Sequence, residues 1–545
     1  MDCETPGPVR RRPPTRLILL AVMVLGPAFP GCSGAQDGPF QPDPAGAGFT
    51  FAEVEKLARA RAGQNFQPGE ARVAEAWRGL TEAEWRGLAF KDEHRLWRGE
   101  NLPFEVAFFH PGFIYDRTVT VEVVEQGRSR PVPFRPEMFR HGGADPGKKL
   151  SRDGLNFAGF RLYFPLNDAD RKDEVAAFLG ANHFRALARH AAYGLTARGL
   201  ILNPARPEGE EFPYFRRFWL VKPEPEALEL TIYALLEAPS LTGAFRFVLK
   251  PGGSATTMDV SARLYPRANA SRPRKIGLAP VGGMYLHSEK ENGAPDDYRP
   301  EVHSADALLY SSGPEAWRRR PLNNPRRLEV NGFTLDSPAG FGLTQGDAQF
   351  DHYQDLAARF DRRSWLWVEP LDGWAPGRLE LMEIPSSQDI HDNILAFWLL
   401  APPAGDGPLQ PLSFSYRLYW LPPGSTPHQL GRAAATRLVR DLKNETAEFI
   451  IDFESEGLAA VSADTGMASR IETDESHPVL EKSVAKNQVT GGWRLKFKVR
   501  LPRPGGVVDS FLPGSEARPR FQARLLKGEN LPTPLTETWV YDPPQ

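Results

Sequence analysis

Along most of this chain apolar and polar residues alternate one for one, the period of a strand with one buried face. Thr118–Val124 reads Thr-Val-Thr-Val-Glu-Val-Val, and Leu228–Ala234 reads Leu-Glu-Leu-Thr-Ile-Tyr-Ala. The pattern predicts further strands at 243–249, 365–368, 378–384, 394–398 and 412–420, then at 447–453, 493–499 and 536–541. Helical periodicity is confined to short pieces. Thr50 with Glu53 and Thr81 with Glu84 have capping-box spacing, and Asp173–Arg189 sets Val175, Phe178, Leu179, Phe184 and Leu187 on one helical side. With 52 prolines and 49 glycines to turn the chain, the expectation is an all-β protein. Residues 49–420 should form a large many-stranded β-sandwich and 428–545 an immunoglobulin-like β-sandwich, divided at Leu421-Pro-Pro-Gly-Ser-Thr-Pro427.

The first residues follow another logic. Arg10, Arg11, Arg12 and Arg16 precede the apolar run Leu17–Leu25, and small residues follow at Ser33-Gly-Ala35. This is the layout of a secretory signal peptide over 1–35, cleaved before Gln36, with a flexible Pro/Gly linker at 36–48. Acylation of Cys32 as a lipoprotein and twin-arginine export are the alternatives. Cys3 and Cys32 are the only cysteines, so the mature chain has no disulfide and no thiol nucleophile, Cys-zinc site or iron–sulfur cluster. A formal net charge of −2 gives no electrostatic reason to expect nucleic acid or an anionic membrane as partner. No second apolar run approaches bilayer length.

Candidate chemistry gathers in two acidic stretches, Asp296–Asp306 and Glu383–Asn393. Each sets carboxylates among apolar side chains, which can desolvate a carboxyl and raise its pKa towards that of a general acid. Paired carboxylates in a β-rich, aromatic-rich secreted chain suit acid/base work on a sugar polymer; solvated loop charges are the alternative. His303 and His391 each lie beside a carboxylate, as sugar contacts or as ordinary packed or surface residues. Among the aromatics, Trp365 and Trp367 share one strand face and point to core, whereas Trp374, in a turn, suits an exposed sugar platform. Phosphate-loop, zincin, dinucleotide and serine-elbow motifs are absent, and the histidines lack metal-ligand spacing.

A run of ordered motifs goes further. They include Phe108-Phe-His-Pro-Gly-Phe113, Phe157-Ala-Gly-Phe-Arg-Leu162, Tyr193-Gly-Leu195, Gly209-Glu-Glu-Phe-Pro213 and Arg299-Pro-Glu-Val-His303. Arg320-Pro-Leu-Asn-Asn-Pro325, Gly340-Phe-Gly-Leu343, Asp351-His-Tyr-Gln-Asp355, Asp392-Asn-Ile394, Gly492-Trp-Arg-Leu495 and Glu537-Thr-Trp539 continue the series. In these the chain resembles the periplasmic glucan biosynthesis proteins of Gram-negative bacteria, the G/D type, over essentially everything after residue 50. The resemblance implies a cleft in the large sandwich and inverting hydrolysis of β-1,2-glucan, with transglycosylation in some members. It implies no metal or organic cofactor, and as partners a β-glucan polysaccharide and the inner-membrane glucan synthase. Carried over residue by residue, the resemblance implies Asp392 as general acid, with Asp306 or a water relay assisting on the opposite face. Arg299, His303, Tyr353, Trp374 and Glu383 would then position glucose units, with Ser304 as a further substrate-binding candidate.

Two departures follow from the same comparison. Where the family pattern reads His-Asp-Ser-Asp-Gly, this chain reads His303-Ser-Ala-Asp-Ala307, so the first aspartate falls on Ser304. A serine does not take up a proton at neutral pH as a carboxylate does. The usual Gln-Arg pair is Gln345-Gly346, without the cation. Hydrolysis, transglycosylation and glucan binding without chemistry therefore all stay open at this point.

Overall fold

The computed structural model describes residues 48–67, 73–140, 155–291, 296–335, 338–374, 376–401, 409–441, 443–473, 475, 477–500, 520–527 and 533–542. The expected export segment and all of the linker except Gly48 lie outside these residues. The described chain is built mainly of strands, in agreement with the all-β reading. No described helix is long and apolar enough to cross a membrane.

Two large sheets carry the structure. One has ten strands and includes Glu105–Phe109, Gly159–Asp168, Arg171–Leu179, Ile276–Gly283, Gly377–Glu383 and Ile394–Leu400; the other has fifteen. Their inner faces meet through aromatics. Phe160, Phe178 and Phe184 of the first touch Phe218, Phe247 and Trp420 of the second at centroid separations of 5.0–6.4 Å. Such edge-on contacts add packing energy to the burial of large rings. The helix Phe51–Ala62 covers the outer face of the larger sheet, where Val54 and Ala58 join Trp219, Tyr233 and Tyr265 in one buried cluster.

Strand alternation is borne out in detail. Trp493–Arg500 buries Trp493, Leu495, Phe497 and Val499 and turns Arg494, Lys496 and Lys498 outward. Two local readings are corrected. Asp173–Arg189 is not a helix but parts of two strands, Arg171–Leu179 and His183–Ala186, joined through Gly180 and Ala181, both at positive φ. Val175–Phe178 is buried on both faces, which removes the alternation that marks a strand. Thr50 makes no side-chain cap, although Thr81 and Glu84 do form the full capping box.

The C-terminal strands enter both a sheet of their own and the fifteen-stranded one. Arg432–Asp441, Thr446–Glu454, Trp493–Arg500 and Val479–Lys486 form a four-stranded antiparallel sheet. Met467–Glu472, Phe521–Lys527 and Thr538–Tyr541 extend the fifteen-stranded sheet, because Thr538–Tyr541 runs parallel to Trp317–Pro321. Phe449, Ile451, Phe497, Phe521 and Trp539 form the core between these layers.

Candidate active site

Asp392 stands at the head of the strand Ile394–Leu400, and its neighbour Asn393 fixes it there. Asn393 Oδ1 accepts from the backbone N–H of Tyr285 at 2.8 Å, while its Nδ2 donates to the carbonyls of Tyr285 and Ile384 at 2.9 and 3.0 Å. The amide thus ties the loop to strands on both sides. Gly282 makes room for the acid: a Cβ there would lie 3.3 Å from Asp392 Oδ2.

The carboxyl lines a cavity of about 450 Å³. Its walls are Ile114–Arg117, the 177–185 hairpin, Thr196, Phe212 and Tyr214. Solvent reaches Asp392 through the cavity, so it counts as exposed, yet protein surrounds it on its other sides. Burial raises its pKa, opposed by Arg198, the Thr196 hydroxyl, Arg185 and Arg363. A carboxyl held protonated longer than usual, and open to solvent, is what a general acid requires. His183 in the same wall is driven the other way, to about 4, by burial and by Arg198, and is neutral at physiological pH. Asp116 is the other carboxylate among the described lining residues.

Asp306 is elsewhere. It lines a second cavity, of about 960 Å³, with His303, Glu301, Arg319, Asp347, His352 and Arg432. Its carboxylate accepts from Thr344 Oγ1 and from the Gly346 N–H, both at 2.6 Å, with Arg319 at 3.6 Å. The structure therefore does not bring Asp306 into the cavity of Asp392. Gly346 is needed there, since a Cβ would come within 2.5 Å of Asp306 Oδ2. Arg432, from the C-terminal part, donates to the Gly346 carbonyl and puts a cation next to the position where the sequence lacks one.

The remaining predicted residues are mostly sealed. His303 is fully buried, its Nε2 on Glu301 and its Nδ1 on Gln345 Oε1, each at 2.9 Å. Gln345 uses its NH2 group on the carbonyls of His303 and Phe360, so its Oε1 accepts from Nδ1–H, while the Glu301 carboxylate accepts from Nε2–H. Burial opposes that charge, but the Glu301 hydrogen bond and charge, with Asp306 behind, raise the pKa to about 9. Ser304 Oγ is held by the Met284 backbone, accepting from its N–H at 2.9 Å. Tyr353 and Glu383 have 0% exposure and no surface to offer a sugar. Glu383 instead neutralises buried Arg320 and accepts from the Asn323 N–H at 2.6 Å. Trp374 is half-buried, packed on Phe341, Trp398 and Tyr416, with its N–H on the Ser415 carbonyl at 2.8 Å. That packing, and not its turn sequence, decides its exposure. Arg299 is saturated by Asp297, Asp355 and Asp389 at 2.7–2.8 Å.

Glu301, Asp347 and His352 each bring one potential metal-ligand atom within 4.8 Å of the others. Those atoms are already engaged, Glu301 by His303 and Asp347 by His352.

His303 yields a testable pH dependence. Its folded pKa lies above its ordinary value of 6.5, so its stabilisation is fully present below about pH 6.5 and is lost as pH rises through about 9. Melting temperature should fall across that window, and His303→Gln should flatten the fall.

Residues 49–542 match the family model for "Periplasmic glucan biosynthesis protein, MdoG". "Glucans biosynthesis protein G" of Pseudomonas aeruginosa (strain LESB58) is 35% identical over 510 residues, 91% of this chain and 93% of the relative. The protein of that name from Ralstonia nicotianae is 37% identical over 502 residues, 90% of this chain and 95% of the relative. One from Rhodopseudomonas palustris (strain BisA53) is 35% identical over 529 residues, 96% and 97% of the two chains.

Proposed function

Because this chain belongs to the MdoG family of periplasmic glucan biosynthesis proteins, we propose that it cleaves the β-1,2-linked backbone of a periplasmic glucan, with Asp392 as general acid. The observation that carries this reading is Asp392 itself, a carboxyl of raised pKa, open to solvent in a cavity walled by Arg185 and Thr196. In the reaction Asp392 protonates the glycosidic oxygen as the bond to the anomeric carbon breaks. Water adds to that carbon from the opposite face and gives up its proton to a base, which inverts the anomeric configuration. Inversion needs carboxyl groups about 6.5–9.5 Å apart to admit the water. Asp306 is engaged in another cavity, so Asp116 is the better candidate for the water side. The N-terminal signal peptide would deliver the protein to the periplasm, beside the inner-membrane synthase as partner.

One observation favours a second reading. Ser304 in place of an acid, with Asp306 removed from the Asp392 cavity, weakens water activation and favours transfer to an acceptor sugar hydroxyl, or binding alone. Incubating the mature protein with linear β-1,2-glucan decides between them. Shorter chains mean hydrolysis, rearranged or cyclic products mean transfer, and unchanged but bound substrate means a binding protein. Asp116→Asn and Asp306→Asn assign the water side.

A further inference from the structure

Arg299 holds three surface loops at one point. Its Nε and Nη2 grip Asp297, and Nη1 donates to both Asp355 at 2.8 Å and Asp389 at 2.7 Å. The hydrogen bonds from Arg299 hold Asp297 down to about 2, so the clamp stays ionised through the physiological range. Beside each gripped carboxylate stands an apolar side chain that the fold leaves in solvent. Tyr298 is 77% exposed, Leu356 81% and Ile390 75%. Since one guanidinium gathers the three carboxylates, the three neighbours stand on segments that meet at one point.

We propose that Tyr298, Leu356 and Ile390 form a subsite for the glucan chain outside the Asp392 cavity, a claim that rests on the glucan reading above. Position is the first argument. Ile390 is two residues before Asp392 on the same loop, and Arg363 lies within the electrostatic reach of Asp392, Asp355 and Asp389 alike. None of the three lines the Asp392 cavity itself, so the subsite lies beside it and not in it. Order is the second. The loop is tied at Asp389 by Arg299, at Ser386 by Asn324 at 3.0 Å and at Asn393 by Tyr285, and the Tyr298 hydroxyl donates to the Gln354 carbonyl at 3.4 Å. These side chains are exposed on a fixed support, the preorganisation that makes a weak contact useful.

Chemistry selects the occupant. A pyranose ring offers an apolar C–H face edged by hydroxyls, which fits an aromatic ring beside carboxylate acceptors. A dry protein interface would instead have to strip water from three carboxylates that share one guanidinium. Arg299 is then a positioning residue, acting through the loops and not on the sugar.

The test uses the full mature chain with Tyr298, Leu356 and Ile390 all changed to alanine, and linear β-1,2-glucans of increasing length followed by calorimetry. In the wild type, affinity should grow with chain length. In the triple variant that growth should be lost, with affinity for the long glucans down about tenfold, the scale of one lost ring contact. Circular dichroism and melting temperature should stay close to the wild type, since the three side chains are largely exposed. Arg299→Lys, which keeps the charge but loses the fork, should lower long-glucan affinity in the same direction. Equal affinities in wild type and triple variant would overturn this inference alone. Equal affinities together with self-association seen only in the wild type would assign the patch to a protein contact, and also overturn it. A wild type that binds no glucan of any length would overturn the functional reading beneath it.

Discussion

Asp392→Asn is expected to slow cleavage of linear β-1,2-glucan by about 10²–10⁴-fold, the range of a positioned general acid. Asparagine keeps the shape and still receives the Thr196 hydroxyl, but it has no proton to give to the glycosidic oxygen. Binding of the uncleaved glucan should persist, because the cavity walls from Tyr115 to Tyr214 remain in place. The loss should therefore appear in kcat and not in KM. A second signature follows from the raised pKa of Asp392. In the wild type the alkaline limb of the rate profile reports deprotonation of this acid, shifted above the ordinary aspartate range, and the variant should lack that limb. Full activity in Asp392→Asn would remove the acid assignment.

The second large effect lies outside the lining of that cavity. Glu537 is wholly buried and accepts from Arg319, from His428 Nε2 at 2.8 Å and from the Ala433 N–H at 2.8 Å. Arg319 is on Trp317–Pro321 and Glu537 directly precedes Thr538–Tyr541, so the pair fastens the parallel junction through which the C-terminal strands join the fifteen-stranded sheet. Glu537→Gln leaves the buried Arg319 guanidinium with only Asp306, at 3.6 Å, as counter-charge, a change that costs up to about 3–5 kcal/mol. Burial works against the Glu537 charge, but Arg319 and His428 outweigh it and hold the pKa at about 2. A depressed carboxylate stabilises the fold above its unfolded pKa, here about 4.5, and that stability is lost as pH falls from there towards about 2. Thermal melts between pH 7 and pH 3 should show the wild type losing its advantage over Glu537→Gln. A constant gap across that range would contradict the assignment.

Much of the fold is written in local alternation, because a half-buried strand has to place its apolar residues at every second position. Trp493–Arg500 is legible for that reason. Val175–Phe178 is not, since both faces are covered by other strands and periodicity alone does not separate a doubly buried strand from a helix. The site divides in the same way. Asp392 and the amide that anchors its loop are adjacent in sequence, so that part of the arrangement is local. The arginines that set the field at Asp392, at 185, 198 and 363, come from separate segments, and only the folded sheets bring them together. Glu383 misled for the converse reason. Its acidic neighbourhood looks like a site, whereas its partner Arg320 lies 63 residues away and buries it. Asp306 and Asp392 line different cavities, because Asp306 turns its carboxylate to Thr344 and Gly346, which come from a separate segment.

The central claim is that Asp392 donates a proton to a β-1,2-glucosidic bond. It is tested most directly by incubating wild type and Asp392→Asn with linear β-1,2-glucan and following mass and anomeric NMR from the first turnover. Wild type should give shorter chains, with the new reducing end first appearing in the inverted anomer, and the variant should leave the glucan intact. Identical product formation by the two proteins, or no product from either despite binding, would contradict it.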